Sequence, residues 1–236
     1  GVGALDLIDD DRVCLTNLNR QLHATRKTVG KYKVDIAEER VHEINPDCRV
    51  VTHKTFFMPE TRAEFDFSQY DYIIDAIDTI SGKISLIEAA NAANIPIISA
   101  MGAGNKIDAT AFEVADIYQT SVCPLAHIMR KELKKRGIKS LKVVYSKEQP
   151  RHMVEQLSAV KNEQADGAKV RKKIVPGSTS FVPPVVGFIL GGEVIKAEEF
   201  MESEQCQLIM GFCCDMPDNR HDRAALSVFN EIYGGY

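Results

Sequence analysis

An α/β fold, with an open and mostly parallel sheet flanked by helices, is the architecture this sequence predicts, and three observations lead to it. Short apolar runs, Asp71-Tyr-Ile-Ile-Asp75 and Ile97-Ile-Ser-Ala100 among them, have the composition of strands buried on both faces. Segments of helical periodicity separate such runs, most clearly residues 30–44, where Val34, Ala37, Val41 and Ile44 share one face. Carboxylates stand at the ends of two runs, Asp9, Asp10 and Asp11 after the first and Asp78 just past Asp75. Ligands of open α/β sheets bind at such carboxyl ends of strands.

The elements follow in order. A strand at 4–9 leads through a polar turn into the helix at 30–44, and strands follow near 49–53, 71–75 and 96–100. A helix over 81–94 separates the last two and stops at Ile95-Pro96, since the residue before proline is pushed out of the helical region. A strand at 111–115 comes next, then a helix at 124–136 with a basic face, ended by Gly137, and an alternating strand at 141–145. Residues 148–173 are polar, charged and poorly patterned, as in a flexible or crossover loop. Val182 to Ile195 is apolar, but Pro183, Pro184, Gly187, Gly191, Gly192 and Glu193 interrupt it, which favours a buried helix over a membrane span. The tail from 198 turns acidic and then apolar at Leu208-Ile-Met-Gly-Phe-Cys-Cys214; it could complete the sheet, pack a dimer or form an appendage.

The densest chemistry lies between Leu7 and Lys33. The carboxylates end an apolar strand, Asn17, Asn19, Arg20 and Gln21 crowd the turn, and Lys31 and Lys33 follow Gly30. A carboxylate at a strand end suits ribose hydroxyls. Arg and Lys just downstream suit phosphate oxygens, one as a planar fork and the other as a point charge. Together they read as half of a nucleotide site, the alternative being a solvated charged loop. A glycine-rich G-x-G-x-x-G loop is not found, because Gly1-Val-Gly3 precedes a strand instead of following one. The expectation is therefore a Rossmann-like domain whose first strand, glycine loop and helix are missing from this chain.

The motifs Asp9-x-Asp11-x-Val13, Thr16-Asn-Leu-Asn-Arg-Gln21, Val29-Gly-x-x-Lys33, Ile44-Asn-Pro46 and Ile74-Asp-Ala-Ile-Asp78 resemble the ubiquitin-activating-type, ThiF-like adenylating superfamily over residues 4–110. The resemblance implies MgATP-dependent activation of a carboxylate. In its terms Asp9 binds the ribose, Asn17 and Arg20 contact the triphosphate, Lys33 bridges phosphates, and Asp78 holds Mg²⁺ near the α-phosphate. Gln21 and Thr79 complete the nucleotide set, and Arg20, Lys33 and Asp78 form the catalytic group. Within the superfamily the chain resembles most the bacterial tRNA threonylcarbamoyladenosine dehydratases, through Asp116-Ile-Tyr-Gln-Thr120, Cys123-Pro-Leu-Ala126 with Arg130, Val144-Tyr-Ser-Lys-Glu148 and Gly177-Ser-Thr-Ser-Phe-Val-Pro-Pro184. Those enzymes cyclise a threonyl carboxylate on tRNA with ATP. The implied division is an ATP-binding part at 1–115, a substrate-side region at 116–197 in the same domain, and a tail at 198–236 of unknown role. The implied assembly is a homodimer, and the alternative partner is a sulfur-carrier or ubiquitin-like protein whose C-terminus would be activated.

Charge and cysteines bear on that choice. The net charge is −4, yet residues 127–173 hold 14 Lys and Arg against 5 Asp and Glu. Clustered cations attract a polyphosphate, so Arg130, Lys131, Lys134, Lys135 and Arg136 are candidates for tRNA contact, the alternative being a solvated helix face. Six cysteines with no paired C-x-x-C pattern and no targeting segment suggest reduced thiols in the cytoplasm, and they leave a structural zinc site without ligands. Cys123 before Pro124 reads as a buried thiol more readily than as a nucleophile. A metal among Cys206, Cys213, Cys214 and His221 is disfavoured by their spacing.

Overall fold

The computed structural model describes residues 2–151, 177–198 and 207–211. Strands β1 (Ala4–Ile8), β2 (Arg49–His53), β3 (Tyr72–Asp75), β4 (Ile97–Ala100), β5 (Phe112–Asp116), β6 (Lys142–Ser146) and β7 (Gln207–Gly211) join one sheet in the order β2-β1-β7-β3-β4-β6-β5. Every pairing is parallel except β5 with β6. Helices α1 (Lys33–Ile44), α2 (Ile80–Ala93), α3 (Pro124–Lys135) and α4 (Val182–Glu198) cover it. The predicted α/β class and nearly every predicted element are present.

Strand alternation sorts the core into two layers. Leu5, Leu7, Tyr72, Ile74 and Val144 face one way and pack with Val34, Ala37 and Val41 of α1 and Val182, Val186, Leu190 and Val194 of α4. Ile8 and Ile73 face the other way with Leu86, Ala89 and Ala90 of α2, joined by Phe57, Phe65 and Phe67 from the loop after β2. Val143 and Tyr145 meet Met129 and Leu133 of α3 on that second face. Helices on both faces explain why the parallel strands read as continuous apolar runs.

The expected helix α4 forms despite two prolines and three glycines, and its burial accounts for the outcome. Pro183 and Pro184 fall in the first turn, where an amide donor has no intrahelical partner to lose. Gly187, Gly191 and Gly192 each cost about 1 kcal/mol against alanine. Val182, Val186, Leu190 and Val194, spaced four apart, are fully or nearly fully buried. Each such burial contributes about 1.5–3 kcal/mol, which outweighs the glycines. The opposite face carries Phe188 and Ile195, both about half exposed, so the helix is buried on one side only. Among the described residues, no helix is long and apolar enough to cross a membrane.

Helix ends are set locally. Pro124 opens α3, and Gly137 closes it at φ +73°, with Ile138 N donating to Leu133 O and Gly137 N to Lys134 O. Asn94 closes α2 in the same left-handed region, at φ 57°. It stands just before the Ile95-Pro96 stop.

The tail supplies the one element that the sequence left open. β7 lies between β1 and β3, with Leu208 beside Leu5 on one side and Tyr72 on the other. Its last residue, Gly211, stands between Ile8 and Asp75. In the doubly wound order 3-2-1-4-5, this central place belongs to the strand numbered 1. Part of the tail thus completes the sheet, while Cys206, Cys213, Cys214 and His221, whose spacing disfavours a metal, lie outside the described residues.

Candidate nucleotide-binding site

Two loops at the carboxyl ends of β1 and β3 carry the predicted nucleotide residues. The first begins at Asp9, which is buried and accepts a hydrogen bond from Asp11 N at 2.8 Å. Lys33, at the start of α1, returns beneath it: its Nζ donates to Asp11 Oδ2 at 2.6 Å and lies 3.5 Å from Asp9 Oδ2. The loop between them is closed by Val13 N to Lys31 O and Gly30 N to Val13 O. Arg12 stacks over Tyr32 and donates to Gly30 O, and Gly30 takes the φ of +88° that this closure requires.

Inside the loop the polar residues are held in place. Asn17 is fully buried and its Oδ1 accepts from Cys14 N at 2.9 Å, fixing the short turn Leu15–Asn17. Arg20 is nearly buried, its Nη1 donating to Thr16 O at 2.8 Å and Asn19 Oδ1 at 2.9 Å. Gln21 is buried beside them and its backbone N–H donates to Asn17 O. Asn19 also reaches Ser178, which ties the turn to the entrance of α4. His23 was not singled out by the sequence. Burial and then the Lys33 ammonium push its imidazole down to about 4, so it is neutral at physiological pH.

The second loop, residues 76–79, connects β3 to α2. Asp78 is exposed between buried Ile77 and Thr79. Thr79 Oγ1 is buried without a hydrogen-bond partner among the described residues. Asp75 is wholly buried at the end of β3 and accepts from Ile77 N at 3.0 Å, in keeping with a hydrogen-bonded sheet end. Among the described residues, the group of side chains able to gather round a cation is Asp9, Asp10 and Asp11. The Lys33 ammonium already pairs with two of those carboxylates.

The basic candidates on α3 are not alike. Arg130 turns inward and donates to Thr120 O and Oγ1. Lys135 and Arg136 share Glu132, and Arg136 also pairs with Glu88 of α2. Their hydrogen bonds hold the Glu132 carboxyl down at about 2. Lys131 and Lys134 are exposed. Cys123 is buried in the core beside Met129, as a structural thiol would be. Residues 152–173, the remainder of the basic segment, lie outside the described residues.

Strand-end carboxylates, a polar loop closed over a buried lysine and a central parallel strand describe a nucleotide-binding α/β domain, and a family model described as "ThiF family" matches residues 1–206. The chain belongs to the ThiF family. It is 46% identical over 197 residues to the tRNA threonylcarbamoyladenosine dehydratase of Bacillus subtilis (strain 168), spanning 83% of this chain and 77% of that one. It is 43% identical over 134 residues to the protein of the same description from Escherichia coli (strain K12), spanning 57% of this chain and half of the relative. Its fold resembles the crystal structure of E. coli tRNA N6-threonylcarbamoyladenosine dehydratase, TcdA, in complex with ATP, with TM-score 0.68 and 32% identity over 84% of this chain and 78% of that chain.

For this ThiF-family chain the buried carboxylate makes a pH prediction. Burial, opposed in part by the Lys33 ammonium, pushes the Asp9 carboxyl from 3.8 up to about 7. Between those values the folded protein holds a proton that the unfolded chain has released. Stability therefore falls as pH rises through that window, by up to a few kcal/mol from this group. Asp9→Asn should flatten the fall when urea unfolding at pH 5 is compared with pH 8. An undiminished fall in the variant would place the titrating group elsewhere.

Proposed function

We propose that this chain activates the threonyl carboxylate of threonylcarbamoyladenosine in tRNA with ATP and closes it into a ring with loss of water. The likeness to the dehydratases over most of the chain carries this reading, and the two loops at the carboxyl ends of β1 and β3 supply residues suited to it. A carboxylate oxygen attacks a phosphorus of ATP and expels the rest of the nucleotide, pyrophosphate if the α-phosphorus is attacked or ADP if the γ-phosphorus is. The carbamoyl group of the same nucleoside then attacks the activated carbonyl, and the carboxyl oxygen leaves with the phosphorus it acquired. The acceptor is intramolecular, so the protein contributes chiefly positioning and charge neutralisation.

Asp9 accepts from the ribose hydroxyls, and Asn17, Arg20 and Gln21 line the phosphate side with Lys33. Lys33 now neutralises Asp11 and Asp9, so phosphate oxygens would compete with those carboxylates for it. Asp78 and Thr79 offer oxygen donors from the second loop. A hard, exposed carboxylate fits Mg²⁺, which is usually held by one or two carboxylates and phosphate oxygens. When bound there, Mg²⁺ would neutralise charge on the phosphates. A tRNA substrate is in keeping with a reaction in the cytoplasm.

The deciding experiment is nucleoside analysis of threonylcarbamoyladenosine-bearing tRNA after incubation with ATP and the protein. The cyclised nucleoside should form, and Asp78→Ala should slow it about 100-fold or more, the scale of losing a principal electrostatic group. Persistence of the open nucleoside with wild-type protein would refute the reaction. Normal turnover by Asp78→Ala would refute only the role of that carboxylate.

Contact with tRNA falls to the outer face of α3. Lys131 and Lys134 lie one turn apart and point to the same side, whereas Glu132 partly neutralises Lys135 and Arg136. Affinity for tRNA should weaken steeply with salt. Lys131→Glu with Lys134→Glu should make the log–log salt dependence shallower, by about 0.7–0.9 for each phosphate that the protein no longer neutralises. A slope unchanged by the pair would return α3 to a solvated face.

We also propose a symmetric homodimer through the outer face of α4, where Phe188 and Ile195 lie two turns apart and extend the exposed Phe181. Sedimentation at micromolar concentration should give a dimer, and Phe188→Asp should shift it to monomer. A monomeric wild type would exclude this assembly.

A further inference from the structure

Lys83 is the most deeply buried cation described, at 1% exposure, and the activation chemistry has not used it. It lies in the first turn of α2. Its Nζ donates to Asp75 Oδ2 at 3.1 Å, Ser99 Oγ at 3.2 Å and Ala100 O at 2.7 Å. All three ammonium protons are thereby used. Ser99 Oγ donates to the same Asp75 oxygen. One side chain therefore joins the ends of β3 and β4 to the start of α2.

The same groups hold the loop that carries Asp78. The second oxygen of Asp75 accepts from Ile77 N, and the backbone amide of Lys83 donates to Thr79 O at 3.0 Å. Asp75 thus fixes the residue before Asp78 while being itself oriented by Lys83 and Ser99; the bond to Thr79 O is the first-turn bond of α2 and does not depend on the side chain at 83. Stability alone is a weak reason for such an arrangement. Replacing both members of a buried ion pair by uncharged groups is often neutral or stabilising, because the desolvation penalty disappears. What uncharged groups would not reproduce is three directed hydrogen bonds converging from two strands and a helix.

We propose that Lys83 is a positioning residue for Asp78, setting the 76–79 loop so that the carboxylate meets the Mg²⁺-bearing phosphates of ATP. This rests on the role of Asp78 proposed above. The test uses the full chain carrying Asp75→Asn together with Lys83→Met, which keeps an acceptor for Ile77 N and leaves no unpaired buried charge. ATP affinity is measured by calorimetry with Mg²⁺ and with chelator, alongside thermal unfolding and amide exchange at residues 77–79.

The double variant should unfold near the wild-type temperature, exchange those amides faster, and lose about 10–100-fold of the affinity that Mg²⁺ adds, the range for removing a residue that orients a metal ligand. Affinity without Mg²⁺ should be unchanged. Asp78→Ala, measured in parallel, should lose the Mg²⁺ gain altogether. A full gain in the double variant with none in Asp78→Ala overturns the positioning role and spares that of Asp78. A full gain in Asp78→Ala overturns both. Should the double variant not fold, Ser99→Ala decides: a several-fold loss of the gain supports the positioning role, and an intact gain overturns it.

Discussion

The sheet depends on a strand that pairs on both sides. Among the described residues β1 and β3 form no ladder with each other, and the hydrogen bonds that join β2-β1 to β3-β4-β6-β5 all pass through Gln207–Gly211. The loops bearing Asp9 and Asp78 hang from the two strands that flank it. Their relative placement is therefore set by the register of β7, which aligns Ile8 and Asp75 across Gly211. A one-residue slip of β7 would shift its alignment with both flanking strands at once.

Within this frame the two loops solve the same electrostatic problem. Each buries a lysine against aspartates, Lys33 with Asp11 and Asp9 and Lys83 with Asp75. Removing charges from water costs several kcal/mol per ion, and only close pairing with further hydrogen bonds offsets it. In the first loop the balance is incomplete, and Asp9 carries the deficit as a raised carboxyl. In the second, Lys83 is fully satisfied by three oxygens. In the function proposed above, one lysine would exchange its partners for phosphate oxygens, and the other would stay where it is.

Much of this was legible in the sequence because it is local. The strands, the helix stops at Pro96 and Gly137, and the crowded polar turn from Asn17 to Gln21 follow from short-range patterning. The membership of β7 was not legible, since a short apolar run carries no record of which strands it will join. Lys83 has the spacing of any helical lysine, and the signal of its burial is its apolar neighbourhood of Ile84, Leu86 and Ile87. His23 lay in a stretch that reads as exposed turn. Spacing alone gives α3 a basic face, whereas in the structure Arg130 folds back to Thr120 and Glu132 claims two more cations. Sequence gives the sign of a charge and the face it occupies, and packing decides whether that charge is already spoken for.

The place of β7 also has a consequence for the order of folding. Leu5 and Leu208 are neighbours in the sheet but about two hundred residues apart along the chain. Loop closure over such a span is entropically costly, and pairings of this kind form late. β1, α1, β2, β3 and β4 all precede β7 along the chain, so until β7 is made the flanks of the central gap are unpaired parallel edges. Such edges are templates for pairing with other chains. Until β7 pairs, the future centre of the domain is thus its most adhesive surface.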